Sequence, residues 1–175
     1  IIRVDSIHQF SSNFIIRGLS LIFLPYLLYK RIKKINNKID VVFAYSSSLA
    51  WAELGCMIKK KYGARFILNV QDIFPQNAID LGVLNNKFLI KYFEYKEKKT
   101  YIIADKLTSH TKMSREFLIN NKGVLRSKIE LITNWINVSV YTKEKNLTYY
   151  REKYNLENKF IFLFAGVMGP SQDLD

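Results

Sequence analysis

The chain has 175 residues, enough for one hydrophobic core but not comfortably for two. With 49% hydrophobic and 24% charged residues, its composition is globular and excludes intrinsic disorder. A single cysteine excludes a disulfide scaffold and a cysteine-rich metal cluster. The net charge of +12 predicts a negatively charged partner, such as an anionic lipid, a phosphate-bearing substrate or nucleic acid. No stretch reaches the roughly 20 apolar residues of a membrane span.

The first third of the chain alternates between strand and helix patterns. Residues 1–4 are a short apolar run typical of a strand. Residues 12–35 have apolar residues at helical spacing, with a kink or a break expected at Pro25. Residues 39–45 are a continuous β-branched and aromatic run, which favours a strand buried on both faces. A serine cluster follows and is suited to cap a helix through residues 50–62.

The same alternation continues to residue 132. Further strand patterns lie at residues 65–70, 106–110 and 129–132. Helix patterns separate them, one at residues 87–103 and one that Thr111 can cap and that ends near Gly123. Strands that alternate with helices predict the α/β class, with a Rossmann-like parallel sheet flanked by helices on both faces.

The pattern then changes. Residues 138–158 are polar and predict a linker with one short helix near 146–154. Residues 159–166 predict a new buried strand, which a glycine turn follows. We therefore expect a Rossmann-like domain at 1–137, a linker, and the start of a second α/β domain at 159–175, and we interpret the chain as a piece of a larger protein.

Polar loops follow the predicted strands. The carboxyl ends of parallel strands meet at one edge of a sheet, and ligands bind along that edge. The loops that should converge there are residues 46–48, 71–77, 110–111 and 134–137. Ser46 and Ser47 are candidate substrate contacts, although a plain helix cap also explains serines at this place.

Four cations follow the apolar helix directly: Lys30, Arg31, Lys33 and Lys34. An amphipathic helix with apolar bulk and a basic end is typical of peripheral proteins on anionic membranes. A solvated charged surface explains the same cluster equally well. The cluster is therefore a candidate membrane-facing surface.

Four segments resemble glycosyltransferase family 4, in the family's order and at its spacings. They are DVVFAYSSS at 40–48, RFILNVQDIFPQNA at 65–78, NWIN at 134–137 and FIFLFAGVMGPSQDL at 160–174. The similarity spans nearly the whole chain and is closest to the bacterial branch that builds surface polysaccharides. It implies the GT-B fold, in which an acceptor-binding and a nucleotide-sugar-binding Rossmann-like domain face each other. The chain would then hold most of the first domain, without its first strand, and the opening strand of the second.

The resemblance also implies an activity. A glycosyltransferase of this family, of the retaining type, would move a sugar from a nucleotide-sugar donor to a polyprenyl-diphosphate-linked or saccharide acceptor. The products would be capsule, O-antigen or exopolysaccharide. The enzyme would be cytoplasmic and peripheral, docked on the anionic inner face of the cell membrane. Neither a cofactor nor a metal nor nucleic acid is implied.

Asp72 is the candidate catalytic residue. Its carboxylate follows a strand, beside the stiff turn at Pro75, where it would hold a hydroxyl of the acceptor or of the donor sugar. The alternative interpretation is that Asp72 caps the short helix after Pro75. Gln71 and Pro75 are candidate substrate contacts. Many relatives have histidine in place of Gln71, and because an amide cannot take a proton, a general-base role is not carried over.

Two further groups of candidates come from the later motifs. Asn134 and Trp135 lie at the presumed hinge as substrate contacts, and Trp135 either packs under the second domain or belongs to the core. Gly166, Gly169 and Gln172 are candidate contacts to the donor phosphates, because glycines let backbone N–H groups approach a diphosphate closely. Glycines after a strand are also often only a turn.

Two rival functions remain open. One is a non-catalytic, membrane-docked acceptor-binding subunit of a split glycosyltransferase; the predicted strand at 159–166 argues against it, since such a subunit would not begin the other domain. The other is nucleic-acid binding, which only the charge suggests, without a recognised motif. The two histidines, His8 and His110, lack neighbouring ligands at metal-site spacing, so no metal site is predicted.

We expect residues 1–175 alone to transfer no sugar. The resemblance implies that nearly all of the donor-binding domain is missing from these residues, and transfer requires both substrates to be held together. The measurement is nucleotide release from a panel of nucleotide-sugars by the purified chain. Sustained turnover would contradict the two-domain interpretation.

Overall fold

A computed structural model of the chain describes residues 14–34, 38–140 and 148–166. The chain divides into two compact units, Ile1–Thr133 and Asn134–Asp175. The first unit contains the sheet and most of the helices. The predicted strand at residues 1–4 lies outside the described residues.

The first unit is built on one all-parallel sheet of four strands. They are β1 (Val41–Ser46), β2 (Arg65–Val70), β3 (Lys106–Ser109) and β4 (Ile129–Leu131). Their order in the sheet is the order in the chain, β1-β2-β3-β4. The predicted α/β class, with a Rossmann-like parallel sheet flanked by helices, is confirmed.

Helices connect the strands. They are α1 (Phe14–Ile32), α2 (Leu49–Tyr62), α3 (Gln76–Asp80), α4 (Lys87–Ile103) and α5 (Lys112–Asn120). Of the kink or break expected at Pro25, the break does not occur, because α1 continues through this residue. Leu24 and Pro25 are both buried, and such packing overrides the local preference against proline inside a helix.

The core lies on one face of the sheet. One row of it crosses all four strands in register: Ala44, Leu68, Leu107 and Ile129. Ala52 of α2, Tyr101 of α4 and Leu118 of α5 belong to the same buried cluster as this row. In the described part of the chain these three helices therefore share one face of the sheet, and the finer expectation of helices on both faces is wrong for them.

The opposite face of β1 is open. Val41, Phe43 and Tyr45 are each more than half exposed, so the prediction that this strand is buried on both faces is wrong. Among the described residues β1 is an edge strand and only its other face is packed against α2. An uninterrupted apolar run does not reveal which of its two faces is covered.

Helix α2 is packed between the sheet and α1. On the sheet side, Gly55 lies against the ring of the fully buried Phe66 of β2. On the other side, Leu28 and Tyr29 of α1 pack against the cluster that contains Ile58 of α2. No residue from 49 to 59 of α2 is exposed, so α1 is an outer layer over α2.

The second unit contains little regular structure in its described part. It has a 3-10 turn at Val138–Val140 and the expected short helix, α6 (Tyr149–Lys153). The strand predicted at residues 159–166 does not form, and Phe162 is 93% exposed. A strand requires hydrogen bonds to a neighbouring strand, and these residues pair with no strand among those described.

Within the described ranges, no helix combines the length and the apolar character needed to cross a membrane.

Replacing Gly55 with alanine should destabilise the first unit. An added Cβ would lie 2.3 Å from the Phe66 ring, which has no free space because it is fully buried. Overpacking of this kind costs about 1–3 kcal/mol. In an exposed helix the same change would stabilise by about 1 kcal/mol, so the sign of the effect is diagnostic.

Urea unfolding of Gly55→Ala measures the effect, and Gly55→Ala combined with Phe66→Leu is the matched control. The smaller side chain should recover part of the loss. If Gly55→Ala were as stable as the parent, α2 would not lie this close to β2.

Candidate functional site

The carboxyl ends of the strands are aligned. Ser46 is opposite Val70, and Val70 is opposite Ser109, so β1, β2 and β3 end at the same level of the sheet. The loops that follow them consequently lie side by side. The carbonyl of Ser46 accepts hydrogen bonds from the backbone N–H groups of Gln71 at 3.4 Å and Asp72 at 3.3 Å. The first two of the predicted polar loops are thus brought together.

The serine loop after β1 differs from a plain helix cap. Ser48 occupies the N-cap position of α2, but its side chain makes no capping hydrogen bond. Its Oγ is buried and, among the described residues, has no hydrogen-bond partner. Ser46 is buried and its Oγ donates to the carbonyl of Ser48 at 3.4 Å, while Ser47 is exposed. The prediction that a serine side chain of this cluster caps α2 is therefore wrong for Ser48.

A series of hydrogen bonds between side chains connects β2 and β3 near this edge. Asn69 Nδ2 donates to Thr108 Oγ1 at 2.7 Å, and both residues are buried. Gln71 Nε2 donates to Asn69 Oδ1 at 2.5 Å. Gln71 is therefore a half-buried residue whose side chain is held by the sheet.

Asp72 is exposed at the end of β2. Helix α3 has Pro75 at its N-cap and no side-chain cap, so the interpretation of Asp72 as the cap is wrong. No hydrogen bond or ion pair of the Asp72 carboxylate occurs within the described ranges. The carboxylate is thus available to a ligand at the predicted edge.

The rest of this loop is packed. Pro75 is buried and follows a cis peptide bond. The ring of Phe74 meets that of Phe93 of α4 edge to face, with the centroids 5.0 Å apart. Pro75 therefore has a structural place under the loop, and Asp72 is the loop's outward-facing charge.

A buried ion pair supports the helix after the loop. Lys122 Nζ lies 3.0 Å from Glu97 Oε2 and donates to Gln76 Oε1 of α3 at 3.5 Å. Tyr101 donates its hydroxyl to Glu97 at 3.0 Å. Burial raises the pKa of Glu97, and the ion pair with Lys122 opposes that rise. This cluster ties α3 to α4 and to the chain after α5.

His110 is a candidate that the sequence analysis set aside. It follows β3, and its Nδ1 is buried without a hydrogen-bond partner among the described residues. Its neighbour Thr111 caps α5 as predicted, accepting from the Ser114 N–H at 3.0 Å. Buried polar atoms without partners are uncommon in native proteins, so each one requires an explanation, and a catalytic role is one of them. The only signal in the sequence was the position of His110 directly after a strand.

The candidates of the second unit are exposed. Trp135 is 85% exposed, which excludes the alternative that it is an ordinary core residue. Asn134 and Gly166 are exposed as well. Gly169 and Gln172 lie outside the described residues, so the predicted contacts to donor phosphates stay predictions.

The four predicted membrane-facing cations, Lys30, Arg31, Lys33 and Lys34, are all exposed at the end of α1 and just after it.

The single cysteine is different. Cys56 lies in α2, and burial raises the pKa of its thiol to about 12, which leaves it protonated and unreactive at neutral pH. The described ranges contain no group of three or more metal-ligating side chains.

Comparison with known proteins found no protein-family model and no curated protein that matches this sequence.

The hydrogen bond between Asn69 and Thr108 should contribute measurably to stability. Asn69→Ala leaves the Thr108 hydroxyl and the Gln71 amide without this partner in a buried place, and we expect a loss of about 1–3 kcal/mol. Thr108→Val should cost less in the background of Asn69→Ala than alone, because the bond is already lost. Chemical unfolding of the two single variants and the double variant measures this coupling. Additive losses would mean that the two side chains do not interact.

Proposed function

We propose that this chain is the acceptor-binding part of a glycosyltransferase that moves a sugar from a nucleotide-sugar to a lipid-linked or saccharide acceptor. The observation that carries the proposal is the exposed carboxylate of Asp72 at the carboxyl edge of a parallel sheet. In such sheets this edge is where ligands bind. Neighbouring polar atoms support it, since Ser48 Oγ and His110 Nδ1 follow β1 and β3 at the same edge.

A sugar presents several hydroxyl donors, and an ionised carboxylate is their strongest neutral-pH acceptor among protein groups. Asp72 would accept a hydrogen bond from one such hydroxyl and fix its orientation. Gln71 cannot serve as a base, and its amide is already bonded to Asn69. The proton of the acceptor hydroxyl would therefore pass to the leaving phosphate of the donor, as the family resemblance implies.

The acceptor is proposed to be carried on a membrane lipid. Exposed cations at the end of α1, together with the overall charge of +12, favour a surface that binds an anionic bilayer. The enzyme would then work at the inner face of the cell membrane.

Asp72→Asn tests the proposal in an enzyme that contains this chain together with its donor-binding domain. The change keeps the shape of the side chain and removes its charge, which weakens a charge-assisted hydrogen bond worth roughly 1.5–3 kcal/mol. We expect the rate of transfer to fall about tenfold to a hundredfold. Steady-state transfer to the acceptor is the measurement, with a melting curve to establish folding.

Asp80→Asn is the matched control, because Asp80 is another exposed aspartate of the same segment, at the end of α3. It should leave the rate nearly unchanged. A folded Asp72→Asn enzyme with the parent's rate would show that the carboxylate of Asp72 does not bind a substrate.

A further inference from the structure

Helix α4 has an exposed face of aromatic residues and lysines. Phe88, Tyr92 and Tyr95 follow each other at spacings of four and three residues, so they lie on one side of the helix. Phe88 is 86% exposed and Tyr95 is 63% exposed. Lys91 and Lys99 are exposed on the same side. Rings exposed in this way are available for burial against a partner, which would be favourable.

Helix α1 repeats this pattern. Leu19, Phe23 and Tyr26 have the same spacing of four and three, and each is half exposed or more. The opposite side of the helix contains the buried Leu24 and the Leu28 that packs against α2. One turn beyond Tyr26 the same exposed side continues with Lys30.

The two exposed faces adjoin. Tyr26 of α1 and Lys96 and Lys99 of α4 line one cavity of about 140 Å³ over α2. Lys96 lies 5.5 Å from the centre of the Tyr92 ring and forms an ion pair with Glu53 of α2. The exposed rings of α1 and α4 therefore belong to one surface, in which Lys96 lies between Tyr26 and Tyr92.

We propose that the exposed faces of α1 and α4 together form a docking surface for an anionic lipid bilayer. Phenylalanine and leucine would enter the boundary of the acyl chains, and tyrosines would stay at the level of the headgroups. The side chains of Lys30, Lys91 and Lys99 would contact lipid phosphates, in keeping with the net charge of +12. The inference rests on the lipid-linked acceptor of the proposed function and adds α4 as its second contact with the membrane.

Helix α4 lies close to the loop that contains Asp72, so the docking surface is near the candidate site. The ring of Phe93 packs against Phe74 on one side and lies 5.3 Å from the Tyr92 ring on the other. The loop that holds Asp72 is therefore one aromatic layer from the docking face. A bilayer on that face would present a lipid-linked acceptor close to the Asp72 loop.

A bilayer fits this surface better than a nucleic acid does. Single strands stack their bases on aromatic rings within a groove that follows the phosphates. Here the α1 part of the surface runs through Leu19, Phe23 and Tyr26 on one side of the helix before it reaches Lys30. An apolar side of this kind suits the acyl chains of a bilayer, which are uncharged, better than it suits a strand with a phosphate at every nucleotide.

Vesicle sedimentation of the chain tests the proposal. The probes are vesicles of phosphatidylcholine with phosphatidylglycerol, and of phosphatidylcholine alone. The variant Phe88→Ser/Lys91→Gln removes one ring and one cation from α4. Its control, Lys112→Gln/Met113→Ser on α5, removes one cation and one apolar side chain, and Met113 is 85% exposed. We expect the α4 variant to bind the anionic vesicles about tenfold or more weakly than the parent, and the control to bind like the parent.

A second variant, Tyr95→Ser/Lys99→Gln, repeats the test at an independent place, and circular dichroism establishes that each variant is folded. Replacing Lys30, Arg31, Lys33 and Lys34 with glutamine probes α1 in the same assay. Equal losses in the α4 variants and in the control would overturn the proposal, and so would parent-like binding of the α4 variants or no binding by the parent. A larger loss for a single-stranded oligonucleotide than for vesicles would overturn it in favour of nucleic acid.

Transfer to a water-soluble acceptor separates this inference from the proposed function. The α4 variants should keep that activity, since they leave Asp72 and its loop in place. Loss of vesicle binding with retained transfer supports both proposals. Parent-like vesicle binding in an active enzyme overturns only the docking surface.

Discussion

The contact between Gly55 and the Phe66 ring sets how closely α2 packs against the sheet. Only a residue without a Cβ lets α2 lie this close to β2, because a Cβ would stand 2.3 Å from the ring. Glycine inside a helix costs about 1 kcal/mol relative to alanine. Full burial of a phenylalanine side chain contributes roughly 1.5–3 kcal/mol, which offsets that cost. Because α1 lies over α2 and α4 lies beside it, this one contact also fixes where their exposed faces stand.

The amino edge of the sheet is secured by charge. Asp105, in the turn between α4 and β3, accepts from the Phe66 N–H at 2.8 Å and from Lys59 of α2 at 2.6 Å. The hydrogen bond from Lys59, followed by the one from Phe66, lowers the pKa of Asp105. Its carboxylate therefore stays ionised at neutral pH and joins α2, β2 and β3 where the strands begin.

Local periodicity predicted the elements well where local chemistry decides them. Residues 87–103 were predicted as a helix and form α4 over the same range, since Asn86 caps it through the N–H groups of Phe88 and Leu89. The second strand was also predicted at its observed bounds, 65–70. The strand expected at 159–166 failed because a strand depends on a partner, which the sequence of one segment does not contain. Periodicity likewise showed that residues of α4 share a side but not that this side is uncovered.

The candidate site was also only partly predictable from the sequence. Strand order placed Asp72 and the serines at one edge, whereas the unpartnered atoms of Ser48 and His110 depend on three-dimensional packing.

The two edges of the sheet thus differ in how their polar groups are used. At the amino edge the carboxylate of Asp105 has two partners, and both interactions stabilise the fold. At the carboxyl edge the carboxylate of Asp72 has none among the described residues, and Ser48 Oγ and His110 Nδ1 are buried without one. A buried polar group without a partner costs about 1–3 kcal/mol, so Ser48 and His110 each reduce the stability of the fold at this edge. Natural proteins break local rules of this kind mainly at functional or strained sites. A hydroxyl of the proposed sugar substrate would give the exposed carboxylate of Asp72 the partner that it lacks among the described residues.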